Sequence, residues 1–241
     1  MLKRAIKAEQ MKLRHSVIWI ACLVMPIIAV CMGTFNYLQC LDQLKNGWYS
    51  LWTQHTIFYC YFCFPTLIGI YGAYLCRLEH MGDNWKNLLS APIPISHLYW
   101  AKLVTVFKLA LVTQLWLGVL FFISGKLAGI TTPFPVEFMR WMGCGLLGSL
   151  SMVSVQLLFS IIIRNFALPV GIALIGGIGG LVARACGLGL CFPYSLFSIG
   201  MCANDPKGAM QCSVITFIVV CLIQMVVLSL IGMKWMKRCP V

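Results

Sequence analysis

Six apolar stretches, each close to the roughly 20 residues that cross about 30 Å of hydrocarbon, leave this chain one kind of environment to fold in. They fall near residues 16–38, 55–76, 99–124, 138–163, 166–184 and 211–233. The 241 residues are 61% hydrophobic and 10% charged, against roughly 45–50% apolar and about 25% charged in soluble domains. The chain therefore reads as an all-α integral membrane protein with one transmembrane domain, 1–241. In lipid a helix satisfies every backbone polar group within its own segment.

The formal charge of +12 does not make it a nucleic-acid binder, because its cations cluster at the ends of apolar segments instead of forming a stripe. They report topology. With the N-terminus inside, Lys45, Lys126, Arg140, Arg184 and Lys207 face outward and the other thirteen of the eighteen Lys and Arg face the cytoplasm. That bias puts both termini in the cytoplasm. Residues 1–15 are too charged to span. Leu2, Ala5, Ile6 and Leu13 share one side of a helical wheel and Lys3, Arg4, Lys7 and Arg14 another, as in a helix lying in the headgroup layer.

The longest polar interruption is Arg77–Lys102, RLEHMGDNWKNLLSAPIPISHLYWAK. Met81, Trp85, Leu88 and Leu89 recur at helical spacing, with Glu79, Asp83, Lys86 and Asn87 on the other faces. The Pro92-Ile93-Pro94 run ends that short helix, and Ser96 is placed to cap the next. The pattern fits a docking surface and an amphipathic loop on the lipid equally well. The outer loops fall near 39–54, 125–137 and 185–210. In the last, residues 187–205 are apolar and aromatic but broken by Gly and Pro, with Phe192, Pro193 and Tyr194 at the centre. Such a segment dips back into the membrane where protein satisfies its backbone, or runs along the interface. Small residues line the fourth and fifth spans. Gly145, Ser149, Gly176 and Gly180 mark close helix packing or a subunit interface.

Chemistry-bearing groups are scarce. Four His and six acidic residues are too dispersed for a metal site or an acid–base pair. The thirteen Cys fall mostly in or beside spans, where a thiol packs as a small hydrophobe. Cys60-Tyr-Phe-Cys63 has redox spacing but no second pair. Cys40, Cys186, Cys191, Cys202 and Cys212 are placed for outer disulfides that cannot be paired from sequence. Lys108 lies in a span near its cytoplasmic end, within snorkelling reach of the headgroups. Gln114, Gln156 and Gln224 are polar at depth, as helix glue or as a path. There is no GxxxxGK[ST] loop and no HExxH helix, so no catalytic residue or metal ligand is assigned, and energy must enter from another chain.

The loop Glu79-(x)5-Trp85-Lys86-x-Leu88-Leu89-Ser90-x-Pro92, with Lys102 following it and Phe192-Pro193-Tyr194-Ser195 near the last outer loop, resembles the permease subunits of type-2 ABC exporters. It is most similar to the half-size permeases of lantibiotic self-immunity and bacitracin resistance. Tyr194 stands where relatives often carry Trp. The resemblance implies that 79–90 is a coupling helix fitting a cleft in the ATPase, with Glu79 and Asp83 for polar contacts, Trp85 and Leu88 for packing, and Lys86 and Leu89 on the same segment. It implies two copies of a separate ABC ATPase that binds ATP and Mg, with no cofactor on this chain. A second, non-identical short permease completes the transporter. The implied setting is the bacterial plasma membrane, with membrane lipid around the chain, and the implied substrate is a membrane-inserted, lantibiotic-like antimicrobial peptide expelled to give immunity or resistance. An exporter of another lipophilic compound, or an ATP-independent channel or carrier, shares the same sequence features. A membrane-embedded enzyme using His55, His80 or His97 is the remaining class.

Overall fold

A computed structural model describes residues 1–14, 16–81, 84, 85, 88, 92–204 and 212–238. Within them the chain forms α1 (Leu2–Leu13), α2 (Ile18–Gln39), α3 (Trp48–Phe58), a π-helical turn (Tyr59–Cys63), α4 (Phe64–His80), α5 (Ile95–Leu127), α6 (Phe138–Ile162), α7 (Ala167–Ala185), α8 (Ser195–Gly200) and α9 (Val214–Arg238). No strand occurs among the described residues. Six helices are long and apolar enough to cross a membrane, α3, the π turn and α4 counting as one of 33 residues.

That second span and α5, also 33 residues, are each about 50 Å long at 1.5 Å per residue. Both outrun a hydrocarbon layer of roughly 30 Å. The apolar windows alone mark 55–76 and 99–124; helical geometry continues past them because polar residues at a helix end cost little. Ser96 is not the cap of α5. Pro94 holds that position and Ser96 lies in the first turn, exposed.

The π turn has a local cause. Pro65 has no N–H to offer the carbonyl of Tyr61, so the α-helical ladder cannot continue through it unchanged, and the helix widens immediately before. Cys60 and Cys63 sit on this turn, buried. The bared Tyr61 carbonyl and the Pro65 ring lie where a Cβ on Gly177 of α7 would fall, so only glycine lets α7 close on the second span.

Burial separates core from lipid face. In the most apolar window, 72% of the second span and of α6 is buried, against 22% of α7 and 17% of α9. The second span and α6 are the axis; α2, α7 and α9 present Leu, Ile and Val outward. At the end opposite the termini an aromatic cluster ties the spans. Trp52 stacks on Trp141 at 5.0 Å and meets Phe121 edge-on at 4.9 Å, and Phe121 stacks on Phe138 at 5.7 Å. Trp48 inserts its ring against Gly125 and donates its Nε1–H to the carbonyl of Thr132 at 2.9 Å.

Candidate functional site

Two places concentrate buried polar groups, one at each end of the bundle. The first is where α1 lies along α5 at the end carrying both termini. Glu9 shares the inner face of α1 with Leu13, one turn on, and is 4% exposed. Glu79 closes α4 and is 3% exposed; Lys102, seven residues into α5, is fully buried. The Lys102 ammonium donates to Glu79 Oε1 at 2.8 Å, to the Leu75 carbonyl at 3.2 Å, and lies 3.1 Å from Glu9 Oε1. Lys12 donates to Glu79 Oε1 at 2.5 Å and to Glu9 Oε1 at 2.9 Å.

The result is a closed square of two carboxylates and two ammoniums, each oxygen bridging both cations, and it joins α1, α4 and α5. Charges this deep persist only when neutralised and hydrogen-bonded together. Glu9 Oε2 and Glu79 Oε2 are buried and have no partner among the described residues.

Trp85 extends the network. Its ring stands 5.7 Å from the Lys102 ammonium and its Nε1–H donates to His80 Nδ1 at 3.0 Å. An indole can only donate, so Nδ1 accepts and the proton sits on Nε2, which donates to the Ser160 carbonyl of α6 at 2.9 Å. The segment after α4 is thus tied to both the charge square and the base of α6. Trp85 and Leu88 are helical and half-buried against this chain's own core. Asp83, Lys86 and Leu89 lie outside the described residues.

Glu79, which the resemblance puts on a coupling helix over 79–90 with its carboxylate available for polar contacts, lies at the end of α4 and is enclosed by Lys12 and Lys102. Uncompensated Lys102 would be costly in that interior, and Glu79 and Glu9 are the acids within reach. Glu9 and Lys12 were not singled out as site residues. An acid on the apolar side of α1, in register with Ala5, Ile6 and Leu13, was the available signal.

The second place is the segment 187–204. All of α8 is buried. Each of the three mid-span glutamines bonds to this segment: Gln114 Nε2 to Met201 Sδ at 2.8 Å, Gln224 Nε2 to the Leu190 carbonyl at 2.9 Å, and Gln156 Oε1 accepting from the Tyr194 hydroxyl at 2.7 Å. Trp52 Nε1 donates to the Met201 carbonyl at 2.9 Å and Arg184 to that of Ala203 at 2.6 Å. Gln224 is ten residues from the start of α9, about 15 Å along it, so the segment reaches well below the helix ends. Phe197 stacks on Phe64 at 3.8 Å.

The small residues receive this segment. Gly176 faces the Tyr194 ring, Gly180 the backbone at Ser195, Gly145 the Met201 side chain, and Phe192 rests on Gly179. Ser149 is buried, its hydroxyl donating to Leu146 O at 2.7 Å. Pro193 precedes the Tyr194 that enters the core. Cys40, Cys186, Cys191 and Cys212 carry free thiols and Cys202 is buried. His55 is fully buried, bonded through Nε2 to Thr34 Oγ1 at 2.9 Å. His55, His80 and His97 belong to no group of three or more His, Cys, Asp or Glu that could hold a metal among the described residues.

Tyr194→Phe is expected to cost about 1 kcal/mol, leaving Gln156 Oε1 without its donor while Gln156 Nε2 keeps the Pro169 carbonyl at 2.6 Å. Thermal unfolding in detergent measures it, and an unchanged midpoint would mean that this bond does not anchor the segment.

A family model described as "ABC-2 family transporter protein" matches residues 5–180. The match spans the charge square, Trp85 and most of α7. No curated protein and no solved structure matches the chain.

Proposed function

We propose, from the premise that the chain belongs to the ABC-2 family of transporter proteins, that it is the permease subunit through which a separate ATPase expels a membrane-inserted, lantibiotic-like peptide. Membership makes it a membrane transport subunit, a class generally without catalysis of its own, and implies an ATPase partner. What carries the coupling reading is the network of Glu9, Lys12, Glu79 and Lys102 with Trp85 and His80. It links the loop between the second span and α5 to α1 and to the base of α6, so a push on that loop is passed to them as one body.

In this reading the Trp85–Leu88 segment is the ATPase contact and Glu79 is a positioning residue behind it. On the same reading that end, with both termini, faces the cytoplasm at a bacterial plasma membrane, and the excess of cations there supports that orientation. Two ATPase copies, binding ATP and Mg, and a second, non-identical short permease complete the assembly. The segment 187–204 would re-enter the outer leaflet, and the broad apolar faces of α2, α7 and α9 suit a substrate that arrives laterally from the bilayer.

Co-expression with the cognate ATPase tests this. Trp85→Ala with Leu88→Ala should abolish co-purification while leaving the permease in the membrane. Unaltered ATPase capture would refute the docking assignment. Resistance assays against a lantibiotic, a non-peptide lipophilic drug and a control compound test the substrate class, and protection from the drug alone would replace the peptide by another lipophile. Flux in vesicles without ATPase would point to a carrier.

A further inference from the structure

A groove of about 570 Å³ opens between α1 and α5, beside the charge square but separate from it. Lys7 of α1 and Arg14, the residue that caps its C-terminal end, face Lys108 of α5 across it, all three exposed. Among the described residues none of these cations has a salt bridge, and no acidic side chain lines the groove. The carboxylates nearby, Glu9 and Glu79, are buried and already shared between Lys12 and Lys102. Farther along α5 the wall turns apolar: Leu109 and Val112, with Trp19 of α2 opposite. Val112 is one turn deeper into the span than Lys108.

A cationic mouth leading along a span into an apolar trough matches a molecule with an anionic head and an acyl tail. We propose that this groove binds one anionic phospholipid, its phosphate held by Lys7, Arg14 and Lys108 and an acyl chain lying along Leu109, Val112 and Trp19. A zwitterionic phospholipid brings a cationic group as well, and the groove has no acid to receive it. A free phosphate would use the cations and leave the apolar wall uncovered. The site pins α1 to α5 beside the neutral square, so the lipid would help hold the helix that carries Glu9 and Lys12. The proposal does not depend on which compound is exported.

The full-length protein, purified in neutral detergent, is titrated with dioleoyl phosphatidylglycerol or dioleoyl phosphatidylcholine and examined by native mass spectrometry. One phosphatidylglycerol is expected to be retained with a preference on the order of tenfold. Combined Lys7→Gln, Arg14→Gln and Lys108→Gln should remove the preference, whereas Lys3→Gln with Arg4→Gln, on the same helix outside the groove, should keep it. Val112→Trp leaves every charge in place and fills the apolar end; it should weaken phosphatidylglycerol binding severalfold, and serves if the triple variant does not fold. Excess inorganic phosphate should leave the lipid bound. An unchanged preference in the triple variant, unaltered binding in Val112→Trp, equal loss in Lys3→Gln with Arg4→Gln, or displacement by phosphate would each overturn the site.

Discussion

Lys102→Met is expected to destabilise the protein by about 3–5 kcal/mol, the cost of leaving a buried charge without its partner. Lys102 is the fully buried member of the square and contacts both carboxylates and the Leu75 carbonyl. Methionine fills most of its volume but leaves Glu9 and Glu79 to share Lys12 alone, at 27% side-chain exposure. Pairing Lys102→Met with Glu79→Gln returns the square to one acid and one base. The double variant should then lose clearly less than the two single losses added, a coupling of about 1–3 kcal/mol in a double-mutant cycle. Thermal unfolding in detergent reads all three variants. Simple additivity, or a Lys102→Met loss below about 1 kcal/mol as for a surface pair, would mean that the square is not the closed buried unit described. In the transport assay, Glu79→Gln should lower resistance while ATPase capture persists, because Glu79 stands behind the docking segment.

Gly148→Leu should cost about 3 kcal/mol, the upper end of the overpacking range. A Cβ on Gly148 would fall on the backbone of Leu196 and Phe197, and one on Gly200 on the backbone of Cys144 and Gly145. α6 and α8 thus meet main chain to main chain through two glycines, and main chain cannot rotate away as a long side chain can. A leucine must push α8 off α6, drawing Met201 from Gln114 and Trp52. Gly143, five residues earlier in α6, has open space around its Cβ position, so Gly143→Leu should stay within about 0.5 kcal/mol. Maleimide modification followed by peptide mapping supplies a second readout. Cys202, 4% exposed, should react in Gly148→Leu and stay protected in Gly143→Leu. Protection in both variants would show that α8 does not depend on this contact.

Both predictions rest on residues whose importance was legible only in part. Gly148 stands in a fourth span visibly rich in small residues, and Lys102 was visible as a cation at the foot of the third. Their partners were not visible. Lys12 meets Glu79 across 67 residues of sequence and Tyr194 meets Gln156 across 38, and hydropathy carries no information on such pairs. The three glutamines were readable as polar groups at depth, since lipid demands a partner for each. That all three find it in the segment 187–204 follows from how that segment folds back.

Read alone, the residues determine that this chain makes six apolar helices, begins with an amphipathic basic one and interrupts itself once with a long polar stretch. Those are local properties, since length and side-chain polarity choose lipid or water one segment at a time. Which acid neutralises Lys102, whether Glu79 faces a partner or its own core, and what the glycines of α6 and α7 make room for are settled only when the helices pack. Buried charge and close backbone contact are properties of pairs brought together by the fold, and the pairs here come from distant parts of the chain.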